Sequence, residues 1–134
     1  MKKALIVAVT LLALLFILIS IQRTPKLEIP PPETATDLRF IDKVGWQSRK
    51  FVLRMNDTPE SCRSFAVSLM KAHMGQQIEI KEEEFSRFPV IWKGFPSWFD
   101  ADQSVENGTL ITGNDWIYAV VDQNRGRLYY YYSH

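Results

Sequence analysis

Residues 109–132, TLITGNDWIYAVVDQNRGRLYYYY, hold three short apolar runs parted by Gly113-Asn114-Asp115 and Asp122-Gln123-Asn124-Arg125-Gly126. Both separators are rich in residues that tolerate positive φ, and the runs between them are rich in β-branched and aromatic residues. The stretch therefore predicts an antiparallel meander. Its strands are expected over Thr109–Thr112, Trp116–Val121 and Arg127–Tyr132, with a short partner near Ser104–Glu106 ahead of Asn107-Gly108. If Asp122–Gly126 is a five-residue loop, Val120 faces Leu128, Tyr118 faces Tyr130 and Trp116 faces Tyr132, all on one surface. The other surface then carries Ile117, Ala119, Val121, Arg127, Tyr129 and Tyr131, and the water preference of Arg127 turns it outward. Tyr129 and Tyr131 are thus expected to be at least partly exposed. A loop one residue shorter reverses the assignment.

Working upstream, Leu38–Trp46 and Ser48–Met55 read as two further strands, since Phe51 and Leu53 alternate with Val52 and Arg54. A helix should follow. Thr58 suits its N-cap, Pro59 its first position and Glu60 its dipole, and the helix should run to about Met74 before Gly75 ends it. Along it Cys62, Phe65, Ala66, Leu69 and His73 recur at spacings of three and four, one stripe facing a core. Cys62 and His73 lie about 16 Å apart on such a helix, well beyond the ~3 Å of a proton transfer, so they do not form a thiolate–imidazole pair. The other histidine, His134, is expected to fray. As the single cysteine, Cys62 has no partner within the chain and reads as a core residue.

Gln76–Lys81 resembles a strand through Ile78 and Ile80, while Glu82-Glu83-Glu84 is either a solvated edge or a helical first turn. Phe85–Phe99, FSRFPVIWKGFPSWF, is aromatic and broken by Pro89, Gly94 and Pro96. It must either fold over the core or present a hydrophobic surface. The expected fold class is α+β: one main helix on a mostly antiparallel sheet, in an order near β-β-α-β-β-β-β, occupying residues 37–134 as a single domain.

Ahead of that domain, Ala4–Ile21 carries no charge, with Thr10 and Ser20 its polar interruptions. As a helix it spans about 27 Å, close to the ~30 Å core of a bilayer. Lys2 and Lys3 favour a cytoplasmic tip at residues 1–3 and an extracytoplasmic domain, periplasmic or at the cell surface. Ser20–Thr24 offers no small-residue cleavage site, so 4–21 reads as an uncleaved transmembrane signal-anchor. Residues 22–36, with Pro25, Pro30, Pro31 and Pro32, read as an extended linker that lifts the domain up to ~40 Å from the lipid.

The net charge of +1 and the lack of a basic cluster argue against nucleic acid as a partner. Asp100-Ala101-Asp102-Gln103-Ser104-Val105-Glu106 fails as a calcium loop, with Val105 where glycine is needed and Ile111 where a bidentate glutamate is needed. One cysteine and two distant histidines do not make a zinc site. No phosphate loop, nucleophile elbow or zincin motif occurs, so neither cofactor nor metal is expected. Asp100 and Asp102 beside Trp98 and Phe99 admit a glycosidase reading, which a chain this short leaves little room for.

All but one of the aromatic residues (Phe 8, Trp 4, Tyr 5) lie beyond Asp37, and such residues are favoured at interfaces. The leading expectation is a membrane-tethered protein-interaction domain, an accessory subunit of a cell-envelope complex, with Trp92, Trp98, Phe99, Tyr129 and Tyr131 as its partner or ligand surface. The alternative is a small-ligand or glycan module that stacks rings on Tyr129, Tyr131 or Trp98. A small hydrolase ranks third.

Overall fold

A computed structural model describes residues 2–22, 27–88, 94–114 and 116–134, with side chains of the first segment described as far as Leu18. The chain runs α1 (Lys2–Gln22), β1 (Thr36–Val44), β2 (Arg49–Asn56), α2 (Pro59–Met74), β3 (Lys81–Phe85), α3 (Ala101–Ser104), β4 (Gly108–Asn114), β5 (Ile117–Asp122) and β6 (Arg127–Ser133). The six strands form one antiparallel sheet in the order β1-β2-β6-β5-β4-β3. The fold is therefore α+β, as the patterning predicts. β2 lies beside β6, so α2 carries the chain across one face of the sheet, and the β3–β6 meander returns to close on the β1–β2 hairpin.

α2 begins as its sequence dictates: the Thr58 hydroxyl accepts the Ser61 N–H at 3.2 Å, and Pro59 takes the first turn. Its apolar stripe buries Cys62, Phe65, Ala66, Leu69 and Met70 against Phe51, Leu53, Met55, Ile111, Ile117, Ala119, Val121, Leu128, Tyr130 and Tyr132. The opposite face of the sheet buries Val52, Val120 and Tyr129 beneath Phe99, Ala101 and Val105. The described part of the aromatic connection thus folds down as a third layer.

The β5–β6 loop corrects the expected register. β5 and β6 pair Asp122 with Arg127, Val121 with Leu128 and Ala119 with Tyr130, which leaves four residues in the loop rather than five. The Asp122 carboxylate accepts the N–H groups of Asn124 at 2.9 Å and Arg125 at 3.2 Å, and Gly126 takes φ +64°. This tightening turns Ile117, Ala119 and Val121 toward α2 together with Leu128, Tyr130 and Tyr132. Arg127, Tyr129 and Tyr131 do lie on the other face, but the third layer covers it, so Tyr129 is buried instead of exposed.

Three further expectations change. The strand expected at Gln76–Lys81 lies instead at Lys81–Phe85, so of the two readings of the acidic triplet the solvated edge holds, as the edge strand β3 with Glu82 held to Arg63 of α2. Ser104–Glu106 is not a strand, since its first residue ends the short helix α3. The residues ahead of β1 are not a free tether: Leu27, Ile29 and Ala35 pack on the main core, and the Thr34 hydroxyl donates to Asp57 at 2.8 Å. Apolar residues set among prolines find a groove along α2 and dock there.

Among the described residues no helix is long and apolar enough to cross a membrane, the described side chains of α1 ending at Leu18. The large apolar side chains on that described stretch are all exposed, from 52% at Leu14 to 73% at Phe16.

Candidate functional site

Outside α1, the large apolar side chains left exposed among the described residues are Val44, Trp46, Met74 and Trp116. The strand register gathers them at one end of the sheet. Val44 pairs with Arg49 where β1 turns into β2, the Gly45 N–H closes that turn on Ser48 at 2.7 Å, and Trp46 at its tip is 95% exposed. Arg49 exchanges backbone hydrogen bonds with His134, so His134 is paired rather than frayed. The Ser133 N–H donates to the Trp116 carbonyl at 2.9 Å, and the Trp116 N–H to the Asn114 side chain at 2.8 Å. Met74 ends α2 at the same place, where Met74, Asn114, Trp116, Ser133 and His134 line a cavity of about 430 Å3. With strands ~4.8 Å apart, the two hairpin turns that bear Trp46 and Trp116 stand roughly 14 Å apart.

Beneath this end lies a polar knot. Arg49 donates from Nε and Nη2 to the two Asp42 oxygens at 3.0 Å each and from Nη1 to Glu28, while its guanidinium lies 5.9 Å from the ring centres of Phe51 and Tyr132. Glu28 is thereby fixed at the end of the sheet that carries the tryptophans.

The His73 ring stacks on Tyr132 at 4.6 Å and 6°, its Nδ1 is 2.6 Å from the Tyr130 hydroxyl, and its side chain is 1% exposed. Burial holds this imidazole below its usual range even though Glu28, 3.7 Å from Nε2, pulls the other way. We assign the neutral ring Tyr130 as donor to Nδ1, with the proton on Nε2. A depressed histidine stabilises the fold above its unfolded value of about 6.5, and this contribution is lost as pH falls, because the unfolded chain binds a proton that the folded one refuses. Urea titrations should thus show stability declining below about pH 6.5 by at most ~1.4 kcal/mol per pH unit, with His73→Phe flattening that decline. Equal slopes in the two proteins would refute this assignment.

The residues singled out from sequence are dispersed. Phe99 and Tyr129 are core residues packed edge to face at 5.4 Å, which removes them from any surface. Tyr131 is half-buried between Phe95 and Tyr118, Trp98 is half-buried against Phe99, and Trp92 lies outside the described residues. Asp100 accepts the Tyr129 hydroxyl at 2.8 Å, and Asp102 is exposed on α3. Cys62 is buried as expected; its thiol is pushed up to about 12 by that burial and by Asp57, so it stays protonated at neutral pH. Among the described residues no three His, Cys, Asp or Glu side chains gather to hold a metal.

Trp46 and Trp116 escape a sequence reading that makes one a strand end and the other a partner of Tyr132. The available signal is Gly45 beside Trp46, since a side chain at a tight turn has no strand neighbour to cover it. Fold and surface define a small antiparallel α+β domain with an apolar N-terminal helix and an uncovered aromatic end. No protein-family model, curated protein or solved structure matches the chain.

Proposed function

We propose that the chain is a single-pass membrane protein and that the domain beyond α1 is an extracytoplasmic interaction module, an accessory component of a cell-envelope assembly, rather than an enzyme. The observation that carries this reading is α1. Ala4–Ile21 is uncharged, and its described apolar side chains are exposed on every side of the helix. Each gains about 1.5–3 kcal/mol on leaving water, and a bilayer removes all of them at once. A helix apolar all round is a buried or membrane helix, whereas one that packs on a domain edge shows a polar face. The module's contact face is then the end that exposes Val44, Trp46, Met74 and Trp116, because an uncovered apolar patch marks a surface that meets a protein or a membrane.

The test is partition and topology of the full chain. Expressed in bacteria with a C-terminal alkaline phosphatase, it should stay with alkali-washed membranes and show phosphatase activity, which requires export. Deleting residues 2–22 should move it to the soluble fraction. Recovery of the intact chain in the alkaline wash, or an inactive phosphatase on a membrane-bound chain, would overturn the proposal.

A further inference from the structure

We infer that the exposed end bearing Val44, Trp46, Met74 and Trp116 is seated in the polar interface of the same bilayer that α1 enters, with lipid as its occupant. The inference rests on α1 being the anchor and goes beyond it by naming what covers this face. Its basis is the point at which the chain reaches the domain. α1 ends at Gln22, and Leu27 already packs on the core. Glu28 is bonded to Arg49, whose backbone pairs with His134, and lies 3.7 Å from His73 at the end of α2. The chain therefore joins the domain at the tryptophan-bearing end.

Only residues 23–26 separate Gln22 from Leu27. Five Cα–Cα steps span at most about 18 Å, however those residues are arranged. The end of a membrane helix lies in or near the headgroup layer, which is itself several Å deep on each side of the hydrocarbon. A domain held on so short a leash at this end cannot stand ~40 Å off, as a free polyproline arm would place it. It rests with Trp46 and Trp116 toward the lipid.

The side chains suit that position. Tryptophan is enriched at the membrane interface because its ring is apolar and its N–H remains hydrated. Two such rings on hairpin turns roughly 14 Å apart give two points of support, and α1 gives a third. Val44 and Met74 add apolar area between and beside them, and Lys43, exposed next to Val44, places an ammonium group at phosphate depth. A protein partner would have to enter the gap that this leash leaves between domain and lipid.

The full chain reconstituted in phosphatidylcholine vesicles reports this directly through its tryptophans. With lipids brominated near the top of the acyl chain, emission should fall by roughly half, since two of the four tryptophans lie at the interface. In the Trp46→Phe/Trp116→Phe variant, whose changes are at exposed positions, most of that quenching should disappear. Unquenched wild-type protein that still resists alkaline extraction would overturn the interfacial seat and leave the α1 anchor standing. Equal quenching of wild type and variant would overturn it too, by assigning the lipid contact to Trp92 or Trp98. Release of the protein by alkali would overturn both readings.

Discussion

Gly126→Ala should destabilise the domain by about 3–5 kcal/mol, enough to unfold much of a population whose total stability is of order 5–10 kcal/mol. Gly126 has φ +64°, where a Cβ costs about 1–2 kcal/mol. It also lies against Asp57, the residue just ahead of the Thr58 cap of α2. Its carbonyl accepts the Asp57 N–H at 2.9 Å, and a Cβ on it would collide with the Asp57 carbonyl oxygen. That obstacle is backbone, so a rotamer change cannot relieve it. Separating the two residues breaks their hydrogen bond, shifts Asp57 off Thr34 and disturbs the adjacent Thr58 cap. Gly75→Ala is the internal control: φ +102° and ψ 158° lie in a region essentially confined to glycine, but a Cβ there meets nothing within 4 Å, so only the conformational cost of about 1–3 kcal/mol applies. Urea unfolding of both variants measures the difference. Equal losses would show that the Asp57–Gly126 contact contributes nothing.

The same loop shows where sequence legibility stops. Period-two alternation and turn residues identify β1, β2, β4, β5 and β6 within a few residues, and the Thr58-Pro59-Glu60 opening places α2 from Pro59 to Met74. Those signals are local. Strand pairing depends on the number of residues the turn consumes, and Asp122 belongs to both the loop composition and the strand. Once Asp122 pairs with Arg127, every facing residue shifts by one, which decides whether Ala119 or Val120 meets α2. β3 is hidden for another reason: Lys81–Phe85 carries three successive glutamates and reads as a solvated run, yet an edge strand with both flanks near water accepts such a sequence. The candidate surface was least legible. Exposure at Trp46 and Trp116 follows from which turns share a sheet end, and that is fixed by β6 inserting between β2 and β5.

Phe99→Ala should cost a further large amount, about 3–5 kcal/mol, and the size of the loss distinguishes the two roles open to the aromatic connection. If that segment merely displayed its rings to a partner, truncating one would change stability by no more than about 0.5 kcal/mol. Phe99 is instead 3% exposed, edge to face with Tyr129 at 84° and 4.9 Å from the Phe95 ring centre. It sits on the sheet between two polar fasteners. Arg54 donates to the Trp98 carbonyl at 2.8 Å and to Asp37 at 2.7 Å, and Tyr129 donates to Asp100 with Ser104 and Arg127 also near its hydroxyl. Those fasteners bury polar groups, among them an Arg54 Nε that makes no hydrogen bond, and they are tolerable only while the layer above excludes water. Removing the Phe99 ring therefore opens a cavity over Val52 and Val120 and also wets the hydrogen bonds on either side of it. Denaturant unfolding should show the full loss, and native Phe99→Ala should bind a hydrophobic dye that wild type does not. Wild-type stability in Phe99→Ala would mean that this layer is an applied surface and that α2 with the sheet makes the whole core.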